Sequence, residues 1–244
     1  MALMLRKNVI SRRFSASAPT YDCYSRLQDA VAERLCTLLP EVSPAHALEI
    51  GCGTGLFTKR LIRNYRNCHL TVTDLSEEMI SLCRRKYRHL TNLAFAVMDG
   101  DRLALDFEFD LIGSSMCLQW LNDPVASLKF QTRLIKTTGS VVFAAIGPDN
   151  FPEWQESLAS AGKSAGLLQT PILPGVIYED RIKIDYGSAE NFLAALKATG
   201  AHQPRDGYHP MNRHALKQVC LRFNRLYAGR ITWHIVYGML GKLR

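Results

Sequence analysis

The stretch Ala47-Leu48-Glu49-Ile50-Gly51-Cys52-Gly53-Thr54-Gly55 constrains this chain more than any other. A short apolar run with one acid ends in three alternate glycines. Glycine takes left-handed backbone angles at no steric cost and lets a ligand approach where a Cβ would collide. The run predicts a strand, a tight turn and a helix, with a ligand held at the turn. About twenty residues on, Leu70-Thr71-Val72-Thr73 ends at Asp74, an acid at the tip of a second predicted strand. A carboxylate there can accept hydrogen bonds from both hydroxyls of a ribose. The dinucleotide pattern G-x-G-x-x-G would need its third glycine where Leu56 stands, and here that glycine comes one residue earlier, at Gly55.

Three further segments repeat the alternation. Leu93 to Met98 reads as a strand ending at Asp99, Phe109 to Ile112 as a fourth strand, and Ser140 to Ile146, preceded by Gly139, as a fifth. Between them, Tyr24 to Leu38 is predicted helical with Leu27, Val31, Leu35 and Leu38 on one face, stopped by Pro40. A second helix follows the glycines to about Tyr65. A third starts at Ser76 as N-cap, with Glu77 and Glu78 where carboxylates favour the helix dipole. Strands alternating with helices predict an α/β fold, a mostly parallel sheet covered on both faces. Its ligand would lie beyond the carboxyl ends of the strands, where Glu49, Asp74, Asp99 and Ser114 fall.

After Ile146 the pattern changes. Gly147, Pro148 and Pro152 break the chain, Glu153 to Ala165 reads as a helix, and Thr170 to Gly175 as a loop. Arg181 to Tyr186 alternates like a strand, Ser188 caps a helix to Thr199, Asn212 caps another to about Tyr227, and Ile231 to Tyr237 closes the chain as a strand. The expected organisation is one structural domain: an N-terminal segment and helix (1–40), a ligand-binding core (41–147), a substrate-side insertion (148–230) and a closing strand (231–244). A chain of 244 residues, 47% hydrophobic, is large enough for a single substantial core. Its seven cysteines form no C-x-x-C pair, which argues against a metal or disulfide framework and for reduced thiols in a cytosolic protein. No apolar run reaches the roughly 20 residues of a membrane span. The first 20 residues, with Arg6, Lys7, Arg12 and Arg13 and no acid, have the composition of an organellar transit peptide or of a mature amphipathic segment.

E-x-G-x-G-x-G resembles motif I of class I S-adenosylmethionine-dependent methyltransferases, whose Rossmann-like sheet has seven strands. Four passages narrow the resemblance to the malonyl-acyl-carrier-protein O-methyltransferases of biotin synthesis. They are R-R-F-S-A-S-A-P-T-Y-D with Gln28 downstream, S-S-M-C-L-Q-W at Ser114 to Trp120, A-L-K-A-T-G-A at Ala195 to Ala201, and I-T-W-H-I-V-Y-G at Ile231 to Gly238. The chain departs from that family at Ser115, where Asn is common, and at I-K-T-T-G in place of L-x-P-G-G. It also has a shorter stretch between Trp154 and Ile182.

The resemblance implies that the N-terminal segment is a mature lid over the cofactor. It implies S-adenosylmethionine binding by Glu49, Gly51, Gly53, Gly55, Asp74, Leu75, Met79, Asp99, Gly100 and Ser114, with Asp99 at the adenine amino group. Asp101 competes for that role, and the distance to Leu103 favours Asp99. The implied reaction is methyl transfer to the free carboxylate of a malonyl thioester, an anion at neutral pH that asks for positioning rather than a base. Tyr21, Gln119 and Trp120 are the candidates for holding it, with Arg181 as a counter-charge; His202, His209, His214 and His234 lack ligand or base spacing.

Lys and Arg exceed Asp and Glu by 30 to 22, a formal charge of +8. Arg205, Arg213, Lys217, Arg222, Arg225 and Arg230 concentrate in the insertion and its exit, as steering of an acidic acyl carrier protein would require. The same charge could serve RNA. No added RNA-binding module, no N-P-P-Y tetrad and no framed catalytic cysteine follows the fourth strand, so a partner other than nucleic acid is the preferred expectation. A non-catalytic subunit built on the same fold is disfavoured by the intact glycines and Asp74.

Overall fold

The computed structural model describes residues 2–166, 170–201 and 207–242, of 2–5 the backbone alone. His202 and Arg205 lie outside the described residues.

Seven strands form one sheet in the order β3-β2-β1-β4-β5-β7-β6. β1 (His46–Ile50), β2 (His69–Asp74), β3 (Leu93–Val97), β4 (Phe109–Ser115) and β5 (Ile135–Ile146) run parallel. β7 (Arg230–Gly241) is antiparallel between β5 and β6 (Val176–Asp185). This is the seven-stranded, mostly parallel sheet expected from the sequence.

Because side chains alternate across a strand, each central strand feeds two apolar layers. Ala47, Leu111, Val142 and Ala144 enter one layer, while Leu48, Ile50, Ile112, Val141 and Phe143 enter the other. The first layer is covered by α3 (Arg26–Thr37) through Leu27, Val31 and Leu35, and by α4 (Leu56–Asn64) through Phe57 and Leu61. The second is closed by the 3-10 turn Leu118–Trp120 and by α6 (Pro124–Gln131), whose N-terminus is set by the Asp123 side chain accepting from the Ala126 N–H. Neither of these two short elements was expected from the sequence.

The predicted caps are present. Ser76 Oγ accepts from Met79 N at the head of α5 (Glu77–Tyr87), Ser188 Oγ from Asn191 N at α8 (Ala189–Ala198), and Asn212 Oδ1 from Ala215 N at α9 (Arg213–Tyr227). Several boundaries differ from expectation. The N-terminal segment is a helix, α1 (Ala2–Ser17), and the helix predicted over Tyr24–Leu38 is broken at Ser25 into α2 (Tyr21–Tyr24) and α3. β5 starts at Ile135, so Gly139 lies inside the strand, where the register against β4 shifts between Phe109 and Leu111. β6 starts at Val176, because pairing with β7 recruits residues that show no alternation. α7 (Pro152–Ala159) is shorter than the predicted Glu153–Ala165: Gly162, at φ 65°, donates to Ala159 O, and Lys163 N donates to Leu158 O, closing the C-terminus. No helix among the described residues is long and apolar enough to cross a membrane.

Candidate active site

The carboxyl ends of β1, β2 and β4 open into a cavity of ≈ 850 Å³, its open mouth included. Gly51 and Gly53, both at positive φ, form its floor. Gly53 N donates to Asp74 Oδ2 and Ser76 N to Asp74 Oδ1, each at 2.8 Å, so this carboxylate fastens the glycine turn to the head of α5. Burial raises the Asp74 pKa, and the hydrogen bonds from the Ser76, Gly53 and Leu75 amides oppose that rise. Leu75, Met79, Asp99 and Gly100 line the same cavity.

Of the two acids that competed in the sequence, Asp99 faces this cavity and Asp101 does not. Asp101 is committed to the fold, accepting from Asn122 N and Ser127 Oγ. Lys7 of α1 ion-pairs with both, at 2.9 Å to Asp99 and 2.6 Å to Asp101. Lys7, Ile10 and Phe14, spaced along one face of α1, form the near wall of the cavity. Ser11 Oγ donates to Leu75 O and Ser15 Oγ lies 2.9 Å from Ser76 Oγ, so α1 is fastened to the two residues that follow the β2 tip.

Glu49, Gly55 and Ser114, which the sequence placed among the cofactor ligands, lie behind the cavity wall. Glu49 shares its sheet face with Ala47, is 1% exposed, and its carboxyl accepts from Thr58 Oγ1 at 2.6 Å. Ser114 Oγ donates to Ile50 O, tying β4 to β1. The space a Cβ would need at Gly55 is filled by Tyr87 and Cys83. Burial lifts the Glu49 pKa well above the ordinary carboxyl value, with Cys83 adding to the rise and Thr58 opposing it. An acid whose folded-state pKa is raised binds its proton more tightly in the native state. Stability therefore falls as pH rises from the unfolded value of ~4.3 towards the folded one. Glu49→Gln keeps an acceptor for Thr58 and removes the titration. We expect the variant to melt above the wild type at pH 8, with the difference closing at pH 4; a difference of the opposite sign at pH 8 would show that the ionised carboxylate is needed.

A second cavity, ≈ 670 Å³ with its mouth, adjoins the first. Five residues line both: Phe14, Tyr21, Gln28, Met116 and Trp120. Gln119 lines the second cavity alone, its Nε2 donating to Met116 O at 2.8 Å. Met116 and Phe151, two of the non-glycine residues with left-handed backbone, both face this cavity, a concentration of strain that marks functional walls. Tyr21 is positioned through its neighbour: Asp22 accepts from Lys86 Nζ at 2.7 Å and from Thr54 Oγ1, which ties α2 to the glycine turn. Burial pushes the Asp22 carboxyl up, and these hydrogen bonds outweigh it, leaving it below its ordinary value. Burial and the nearby Asp74 and Asp22 raise the Tyr21 phenol, which stays protonated as a donor through the neutral range.

Arg181 does not reach either cavity. It stands on β6 at the sheet edge, paired with Asp149 at 3.0 Å and Glu179 at 3.6 Å. His234 is 2% exposed and lines neither cavity; its Nδ1 accepts from Asp149 N, which places the proton on Nε2 facing Glu179. Among the described residues no group of three His, Cys, Asp or Glu could hold a metal ion. Among the cavity residues to which sequence reasoning gave no site role are Lys7, Ile10, Phe14, Gln28 and Met116. Only the i, i+3, i+7 spacing of the first three carried a local signal.

A family profile described as a methyltransferase domain matches residues 47–139, the stretch that carries the glycine turn, Asp74 and Asp99. The malonyl-[acyl-carrier protein] O-methyltransferase of Magnetococcus marinus is 35% identical over 228 residues, covering 86% of this chain and 82% of the relative. The chain belongs to the malonyl-acyl-carrier-protein O-methyltransferase family. A second family member, malonyl-[acyl-carrier protein] O-methyltransferase 2 of Ilyobacter polytropus, is 28% identical over 98% of this chain and 99% of its own length. The family's class I methyltransferase fold is also that of the solved structure of the Bacillus YcgJ protein, at a TM-score of 0.57 and 12% identity over 86% of this chain and 97% of that one.

Proposed function

We propose that this chain transfers a methyl group from S-adenosylmethionine to the free carboxylate of a malonyl thioester carried on an acyl carrier protein, an early step of biotin synthesis. The observation that carries the reading is the meeting of two cavities at Phe14, Tyr21, Gln28, Met116 and Trp120. One has the features of an adenosyl site and the other is a largely apolar chamber. Nothing lies within 4 Å of the place a Cβ would occupy at Gly53, which leaves a cradle for a ligand against the main chain. Asp74 offers acceptors for ribose hydroxyls, Asp99 an acceptor for an exocyclic amine, and Leu75, Met98 and Leu121 an apolar slot for a purine. The residues present therefore fit this cofactor.

S-adenosylmethionine, when bound, supplies an electrophilic methyl on a sulfonium. The chain's own part is to bring a carboxylate, already ionised at neutral pH, to the junction in line with that methyl and to keep water out. Such positioning is worth several kcal/mol of the barrier (~7–11 at its best). Phe14 and Trp120, edge to face at 5.3 Å, offer aromatic surface to a cation there. Tyr21 keeps its proton and can donate it in a hydrogen bond to the acceptor.

Incubation with S-adenosylmethionine and malonyl-carrier protein should add the mass of one methyl, released again as methanol by mild alkali. A methyl stable to alkali, or methylated RNA, would instead support the RNA reading. Carrier recognition is ascribed to the exposed basic side chains of α9, where Arg213, Lys217 and Arg225 are in no ion pair with the described acids. Lys217→Glu with Arg225→Glu should raise KM for the carrier-bound substrate on the order of tenfold, with little change for a small malonyl thioester. Equal loss on both substrates would contradict a docking role for α9.

A further inference from the structure

We infer that Gln28 is the second donor that, with Tyr21, clamps the acceptor carboxylate at the point of transfer. The inference rests on the reaction proposed above and goes beyond it by naming the clamp.

The methyl must change hands where the two cavities meet. Of the five described residues that line both, Phe14 and Met116 are apolar, while Tyr21, Gln28 and, through its indole N–H, Trp120 present donors suited to an anion; of these, Gln28 is the one with a buried polar atom that has no partner among the described residues. Gln28 projects from the first turn of α3, between Leu27, which is buried in the core, and exposed Asp29. Its Oε1 is buried and has no hydrogen-bond partner among the described residues. A buried polar atom left without a partner is costly unless a ligand completes it. Turning the amide about its last torsion brings Nε2 to the same place, because the two ends are nearly isosteric. The side chain can therefore present an N–H to a carboxylate oxygen.

The other candidates are less suited. Gln119, whose Oε1 is likewise buried without a partner among the described residues, is held through Nε2 by its bond to Met116 O and faces only the second cavity. Arg181 is occupied by Asp149 and Glu179 at the sheet edge.

Neutral donors also suit the chemistry. One carboxylate oxygen forms a bond to the methyl carbon as the methyl–sulfur bond breaks and its electron pair returns to sulfur. No proton moves, and the negative charge on the acceptor disappears. A cation bound to that carboxylate would stabilise the charged ground state more than the transition state and so work against the reaction. An amide N–H and a phenol O–H hold the oxygen in place with less of that penalty.

The test uses the full-length protein with Gln28→Leu and Gln28→Glu, malonyl-N-acetylcysteamine as acceptor, and S-adenosylhomocysteine to fill the cofactor site. In Gln28→Leu, calorimetry should give an S-adenosylhomocysteine Kd within about threefold of wild type. The Kd of the malonyl thioester for the S-adenosylhomocysteine complex should rise, and kcat/KM fall, each on the order of 10–100-fold. Gln28→Glu should be worse at pH 8, where a second carboxylate repels the acceptor. It should recover as pH is lowered and the glutamate gains a proton to donate, a limb absent from the wild-type profile. An S-adenosylhomocysteine Kd that weakens in step with catalysis would assign Gln28 to the cofactor instead and overturn the clamp. Unchanged acceptor binding in Gln28→Leu, or a Gln28→Glu profile parallel to wild type, would overturn it too. A wild-type protein inactive on every malonyl thioester would sink the functional reading and the clamp together; an active wild type with an unimpaired Gln28→Leu sinks the clamp alone.

Discussion

Asp74→Ala should weaken S-adenosylhomocysteine binding on the order of 10²–10⁴-fold. Two ribose hydroxyls lose a charged acceptor, and each such bond is worth about 1.5–3 kcal/mol. The loss has a second source inside the protein. Gly53 N and Ser76 N donate to this carboxylate, so the alanine variant leaves both amides without acceptors and releases the glycine turn from the head of α5. Asp74→Asn separates the two effects. It keeps one acceptor oxygen and places an NH₂ group against the other amide, so the turn is half held and the ribose is half served; affinity should fall by roughly 10–100-fold. Calorimetric titration of both variants with S-adenosylhomocysteine checks the order. An alanine variant that binds as tightly as wild type would remove the β2 tip from the cofactor site.

This carboxylate was legible in the sequence because everything that defines it is local. An apolar run fixes the strand, the acid follows at its end, and the glycine turn stands one strand earlier. The N-caps Ser76, Ser188 and Asn212 were legible for the same reason, since an N-cap side chain reaches the backbone only three residues on. Glu49 shows where that reasoning stops. Its place in the motif marks a strand end, but the alternation of the strand turns its side chain toward α4, where Thr58 holds it, and the neighbour that faces the cavity is Ile50. The N-terminal segment was expected over the cofactor only through the family resemblance, and neither Lys7 nor Gln28 was assigned a site role, because tertiary packing brings them there: Lys7 and Asp99 meet across 92 positions of chain. The extra residues of β5 and β6 likewise owe their extended form to cross-strand pairing, which no single strand encodes.

The largest combined loss of stability and binding is expected from Gly51→Ala. Two independent penalties fall on this one residue. Its φ of 75° lies in the left-handed region, where a side chain costs about 1–2 kcal/mol. A Cβ there would also stand 2.4 Å from Cys117 Sγ and 2.6 Å from Cys117 Cβ, a clash that overpacking puts at ~1–3 kcal/mol. Either the turn or Cys117 must move, and both line the first cavity. Melting should drop by roughly 5–15 °C for a chain of this size, and the rise in melting temperature that saturating S-adenosylhomocysteine gives the wild type should be largely lost. Gly53→Ala provides the contrast. Its φ of 53° is equally left-handed, but no atom lies within 4 Å of the new Cβ, so only the backbone penalty applies to the free protein, while binding suffers because that space belongs to the ligand. Pairing Gly51→Ala with Cys117→Gly should restore the part of the stability that the clash removed and leave the backbone part. If Gly51→Ala melts and binds as the wild type does, the turn is not packed against Cys117, and the close fit of the β1 loop on the β4 tip, from which the cavity is built, is wrong.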